Sequence, residues 1–186
     1  MSGNTASLSV HTRSRRRPAQ APVALQPCLS KDQINLLPIQ AWTGRIVLVQ
    51  DEAGLDAALE KLWAEPVLGF DTETRPTFTK GKTCLPALIQ LASADTAYLI
   101  QLTRIPFGDR VAELLASPRV LKVGVAIHDD MKALARIHEF TPSGVVDLAA
   151  LARAKGIQAQ GLRTLAANLL GFRISKSAQC SNWEHP

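Results

Sequence analysis

Asp71 and Glu73 are separated by one residue and close the apolar run of PVLGFDTET, residues 66–74. In an extended chain, positions i and i+2 share a face, so the two carboxylates point the same way. Two unit charges about 4 Å apart at an effective dielectric near 20 repel by roughly 4 kcal/mol. A proton held by one acid, a basic neighbour or a bound cation would offset that repulsion. A carboxylate pair with little basic charge beside it is an oxygen-ligand set suited to Mg2+ or Mn2+. The plainer alternative is a strand end that frays into solvent with both acids wet. The apolar run ahead of Asp71 weighs against it, because open α/β sheets place their ligands at the ends of central strands.

A second acidic pair, Asp129 and Asp130, follows the apolar run VLKVGVAI (120–127) and opens a helical pattern. An Asp in that place is often only an N-cap or a partner of the helix dipole. Two strand ends bearing acids in one α/β domain nevertheless form a constellation. Three carboxylates can cradle a pair of divalent ions, which clamp the attacking and leaving oxygens of a phosphate ester. Asp147 also precedes a helical pattern and reads as its N-cap. Thr72, Arg75, Lys82 and His128 flank the acids and are the candidates for contacting a nucleic-acid backbone; capping or solvated roles are the alternative. No G-x-G-x-x-G, Walker A or G-x-S-x-G pattern occurs. Neither the three cysteines nor the four histidines show zinc-ligand spacing.

These residues need elements to hold them. RIVLV (45–49) predicts a strand. DEAGLDAALEKLW (51–63) predicts a helix with Asp51 as N-cap and Leu55, Leu59, Leu62 and Trp63 on one face. PVLGFD (66–71) reads as a buried strand and 74–86, with Pro76, Gly81 and Pro86, as a loop. ALIQLA (87–92) and AYLIQL (97–102) are joined by the short link SADT, which implies an antiparallel hairpin. A helix over 108–117, a strand over 120–127, a helix over 128–140 and a brief strand at 144–146 follow. Helices over 147–156 and 161–171 come last, the second closing on Gly171 as a left-handed cap. The order predicts an α/β domain in three layers: a mixed sheet with an antiparallel meander beside parallel strands, and helices on both faces.

Residues 1–36 read as a disordered basic arm and 37–186 as the folded domain. The segment KDQINLLPIQAW (31–42) is expected to dock through Leu36, Leu37, Ile39 and Trp42. Arg13, Arg15, Arg16 and Arg17, with no acid through residue 30, supply most of the net charge of +5. Such an arm could touch phosphates, although a solvated leader is the plainer reading. An acid-free, Arg-containing start also permits an organelle address. The odd, scattered cysteines favour a reducing, cytoplasmic setting. No apolar run approaches the ~20 residues of a membrane-spanning helix, so no membrane association is expected.

FDTETRPTF (70–78) resembles the first motif of the DEDD-type 3'-5' exonucleases, whose fold is ribonuclease H-like. PALIQLA and AYLIQL match the hairpin that follows it in that family. KVGVAIHDDMKAL (122–134) is similar to the second motif, with Asp130 at the catalytic acid. GLRTLAANLLGFRISKSAQCSNWEHP (161–186) is similar to the stretch that leads to the third. The likeness is strongest to Werner-type exonuclease domains and their bacterial relatives, with ribonuclease D more distant, and it covers residues 45–186. The resemblance implies two Mg2+ or Mn2+ ions held by Asp71, Glu73 and Asp130. It also implies a single-stranded 3' end of DNA or RNA as substrate and nucleoside 5'-monophosphates as products.

The family's third motif in its Tyr subtype is Tyr-x-x-x-Asp, on a helix that packs on the sheet. The only tyrosine here, Tyr98, lies in a predicted strand and has Leu102 four residues on. The resemblance therefore implies impaired activity for these residues and an apolar sheet face left open. The alternatives are a non-catalytic nucleic-acid- or metal-binding remnant and, more remotely, a phosphatase of the D-x-D-x-T kind. The last expects a parallel strand after the acids, where a hairpin is predicted.

Overall fold

The structure is a computed structural model that describes residues 28–74 and 85–175. Arg75 and Lys82, most of the predicted 74–86 loop, the first 27 residues and residues 176–186 lie outside the described residues.

The first element is α1 (Lys31–Leu36), within the expected arm. A capping box holds it: the Ser30 hydroxyl accepts from the Gln33 amide, and the Gln33 side chain accepts from the Ser30 amide. Next come β1 (Ile39–Gln40), β2 (Arg45–Val49) and α2 (Glu52–Leu62). The side chain of Asp51 caps α2 by accepting from the Gly54 amide at 2.7 Å. The apolar face of α2 buries Leu55, Leu59 and Leu62, whereas Trp63 sits past its end and stays exposed. β3 (Val67–Thr74) runs on to include both acids, followed by β4 (Pro86–Ala92) and β5 (Thr96–Gln101). Then α3 (Asp109–Ala116), β6 (Leu121–Gly124), α4 (His128–Ile137) and β7 (Val145–Asp147) alternate. The chain ends in α5 (Leu148–Ala154), α6 (Leu162–Leu170) and β8 (Arg173–Ile174). Gly171 closes α6 at φ 72°, the left-handed conformation that a Cβ disfavours.

Six strands form one sheet in the order β2-β5-β4-β3-β6-β7. β3, β4 and β5 are the expected antiparallel meander, and β2–β5, β3–β6 and β6–β7 pair in parallel. The antiparallel partner after Asp71 also removes the parallel strand that the phosphatase alternative requires. Register sorts the side chains. Val49, Leu68, Phe70, Ile89, Leu91, Tyr98 and Ile100 share one face and form a single core with α2, α3 and α4.

The opposite face carries Asp71 and Glu73 together with several exposed apolar side chains. Ile46 is 61% exposed, Leu48 47% and Val67 46%.

Two expectations are corrected. The strand expected over 120–127 ends at Gly124. A Cβ at Gly124 would lie 2.4 Å from the Phe70 carbonyl oxygen and 2.4 Å from Ile127 Cγ2, so the backbones of β3 and β6 meet there. The chain then turns through Ala126 at φ 61°. The second correction concerns docking of the 31–42 segment. Leu36 is 87% exposed, Ile39 and Trp42 are exposed as well, and of the four only Leu37 is half-buried, its carbonyl accepting from Arg173 Nε. The segment attaches instead through buried Ile34, the β1–β8 pair and the Leu29 amide, which donates to Asn168 Oδ1 at 2.9 Å. Among the described residues no helix is long and apolar enough to cross a membrane.

Candidate active site

β3 is central in the sheet, and its C-terminal end presents the acids. Asp71 and Glu73 lie on the open face, as the i, i+2 spacing requires. Gln90 of β4 stands directly across from Asp71 and donates from Nε2 to Glu73 Oε1 at 3.4 Å. The β3–β4 register slips between Glu73 and Thr74, so the ladder loosens immediately after the second acid. No basic side chain among the described residues pairs with Asp71 or Glu73 in an ion pair.

The electrostatic cost expected from sequence falls on Asp71. Its carboxylate is reachable by solvent, but the protein around it displaces enough water to push its pKa up to about 6. The negative charges of Asp130 and Glu73 push the same way. The Thr72 amide opposes them by donating to Asp71 Oδ1 at 2.9 Å. Asp71 is thus mostly ionised at neutral pH and half protonated near pH 6.

Asp130 arrives on the first turn of α4. Thr72 lies between the two acids in sequence but faces the opposite way. It is buried, and its hydroxyl donates to Asp130 Oδ1. Thr72 was expected to contact substrate; its hydroxyl is instead spent on a carboxylate. The other acid of the pair, Asp129, points to solvent, where Lys132 pairs with it at 2.9 Å and holds its pKa below the usual range. His128 is exposed at the start of α4. Asp147 is the expected N-cap: Oδ1 accepts from Ala149 at 2.8 Å and Ala150 at 3.3 Å. Sequence reasoning missed its third contact, from the Ala126 amide at 3.2 Å. No local signal announces a contact made across 21 residues. Gln90 was also missed, although a lone polar residue inside ALIQLA was a visible clue.

The structure therefore places Asp71 and Glu73 together at one strand end, with Asp130 close enough to act on the Asp71 charge but seated against Thr72, which faces the other way. The donors are carboxylate oxygens, the chemistry that suits a hard divalent cation. Among the described residues, no three or more His, Cys, Asp or Glu side chains already converge to hold a metal.

Fold and acids together define a class, the ribonuclease H-like α/β domains that bear acids at the end of a central strand. A family model described as 3'-5' exonuclease matches residues 46–185. The exonuclease 3'-5' domain-containing protein 2 of mouse is 34% identical over 168 residues, 79% of this chain and 26% of that protein. The crystal structure of the EXD2 exonuclease domain soaked in Mn is similar at 29% identity and a TM-score of 0.53, covering 76% of each chain. The ribonuclease D of Trypanosoma brucei in complex with RNA U12 shares the fold at a TM-score of 0.67 and 19% identity, over 74% of this chain and 51% of that one. The chain belongs to the 3'-5' exonuclease family. It spans 26% of the mouse relative and 32% of the human protein of the same name.

Proposed function

We propose that these residues form a 3'-5' exonuclease site that hydrolyses phosphodiester bonds at single-stranded nucleic-acid 3' ends with low turnover. The observation that carries the reading is the Asp71–Glu73 couple on the exposed face of β3, with no ion-pair partner among the described residues and with Asp130 near enough to raise the Asp71 pKa. Asp71 and Glu73 would hold Mg2+ or Mn2+, with Asp130 completing a cradle for two ions. Bound there, the cations would supply Lewis-acid stabilisation of the attacking and leaving oxygens. The protein's own part is to keep carboxylates ionised and aimed at the open face. It also has to seat the terminal nucleotide against the apolar surface beside them. Arg75, Lys82 and His128 remain the candidates for steadying the phosphate backbone.

Low turnover follows from what these residues lack. Tyr98 is buried in β5 among the core side chains and cannot orient water at Asp71. Losing even a supporting partner of a metal ligand costs about 10- to 100-fold, and a missing carboxylate with its tyrosine should cost at least that. The same lack favours a second reading, a binding module without catalysis.

A single-turnover assay with Mn2+ on an oligonucleotide labelled at its 5' end separates the readings. Slow shortening from the 3' end that disappears in Asp71→Ala supports the exonuclease. Mn2+-dependent retention of the oligonucleotide without shortening supports the binding module. Fast degradation abolished by Asp71→Ala would overturn the impairment. Cleavage indifferent to Asp71 would overturn the site.

A further inference from the structure

We propose that Thr72 and Asp147 are positioning residues that together fix the carboxylate of Asp130. The inference rests on the exonuclease reading of the acids and extends it to two side chains that face away from the open surface or sit on another strand.

Thr72 approaches from one side. It occupies the core-facing row of β3 with Leu68 and Phe70, and only 8% of it is exposed. A hydroxyl buried in such a row is costly unless it is hydrogen bonded. Asp130 Oδ1 takes that bond. One hydroxyl engages one carboxylate oxygen, Oδ1, so the bond restricts the rotamer of Asp130. A carboxylate held in a single orientation before a cation arrives loses less freedom on binding it.

Asp147 acts from the other side, through the backbone. The turn from β6 into α4 passes through Ala126 at φ 61°, a conformation that costs an alanine roughly 1–2 kcal/mol. Such a conformation persists only where the surroundings over-determine it. Two contacts do so here: the close approach of Gly124 to Phe70, and the Ala126 amide donating to Asp147 Oδ1. The same oxygen accepts from Ala149 and Ala150. One carboxylate oxygen thus binds the first turn of α5 to the strained turn that launches α4. With three N–H donors around it, Asp147 stays ionised to below the usual carboxylate range. Asp130 lies four residues beyond Ala126, so movement of the turn moves Asp130.

The test is Mn2+ titration of the full chain, followed by loss of the free-ion electron paramagnetic resonance signal, with thermal melting run in parallel. Thr72→Val conserves shape and removes only the hydroxyl. It is expected to weaken Mn2+ binding about 10-fold, the lower end for loss of a ligand's supporting partner, with little change in melting. Thr72→Ser keeps the hydroxyl and should restore affinity close to wild type. Asp147→Ser can still cap α5, but its shorter side chain does not span to Ala126; it is expected to weaken Mn2+ binding to a similar degree. Should Asp147→Ser not fold, the Thr72 pair alone decides. Wild-type affinity in Thr72→Val, or equal losses in Thr72→Val and Thr72→Ser, overturns the proposal while leaving the exonuclease reading intact. Mn2+ binding that is absent in wild type, or unchanged in Asp71→Ala, removes that reading and the positioning role with it.

Discussion

Replacing Asp71 with asparagine is expected to raise the melting temperature above pH 6 and, under the proposed function, to lower 3'-end hydrolysis by at least 10- to 100-fold. The loss follows from removing a carboxylate charge from the proposed cation site, which costs no less than removing a supporting partner. The gain follows from linkage. Burial, aided by Asp130 and Glu73, raises the folded pKa of Asp71 from 3.8 to about 6. The folded chain therefore holds this proton more tightly than the unfolded chain does. Stability contributed by the protonated acid is fully present below about 3.8 and declines until pH passes about 6. Asparagine never ionises and escapes that decline. Melting curves of the two proteins should coincide near pH 3.5 and separate above pH 6, with the variant the more stable. Equal melting at pH 7.5 would show that Asp71 carries no electrostatic burden.

Lys122→Ala is expected to be the most destabilising single change, at about 3–5 kcal/mol. Lys122 points from β6 into the core and is fully buried. Its ammonium donates to three backbone carbonyls: Leu114 at 3.1 Å, Ser117 at 2.7 Å and Val120 at 2.8 Å. Two of these belong to the end of α3, where unpaired carbonyls and the negative end of the helix dipole favour a cation. Burial pushes the Lys122 pKa down to about 8, so the group remains protonated at neutral pH. Truncation to alanine leaves a cavity where the aliphatic stem packed and orphans carbonyls that water cannot reach. Lys122→Met restores much of the volume but not the hydrogen bonds, and should fall between alanine and wild type. The folded pKa lies below the free value of 10.5, so this group alone makes stability rise as pH climbs from about 8 to about 10.5. The alanine variant should lose that rise. Urea unfolding measures all of this, and a loss below about 1 kcal/mol would contradict the role given to Lys122.

The meander was legible because ALIQLA and AYLIQL alternate plainly and their link is too short for a crossover. The Asp71–Glu73 couple was legible because strand periodicity alone puts both on one face. Features that depend on distant partners were hidden. VLKVGVAI is apolar apart from Lys122, so nothing in it marks the turn that the approach of Phe70 imposes on Gly124. Lys122, inside the same run, gave no sign of reaching the end of α3. Thr72 was read as a surface neighbour of the acids because its bond to Asp130 spans 58 residues. The short α1 did carry a readable capping signature in Ser30 and Gln33. Its attachment to α6 and β8 was beyond sequence, since Leu29 meets Asn168 across 139 residues.

Mn2+ titration of the wild-type chain at pH 7.5 and pH 5.5, beside Asp71→Ala, tests most directly whether the acids at the end of β3 are a cation site. Protons compete for a carboxylate whose pKa is about 6. Saturable binding at pH 7.5 that weakens at pH 5.5 and is lost in Asp71→Ala is the expected result. Mn2+ affinity that is the same at both pH values and in both proteins would contradict it.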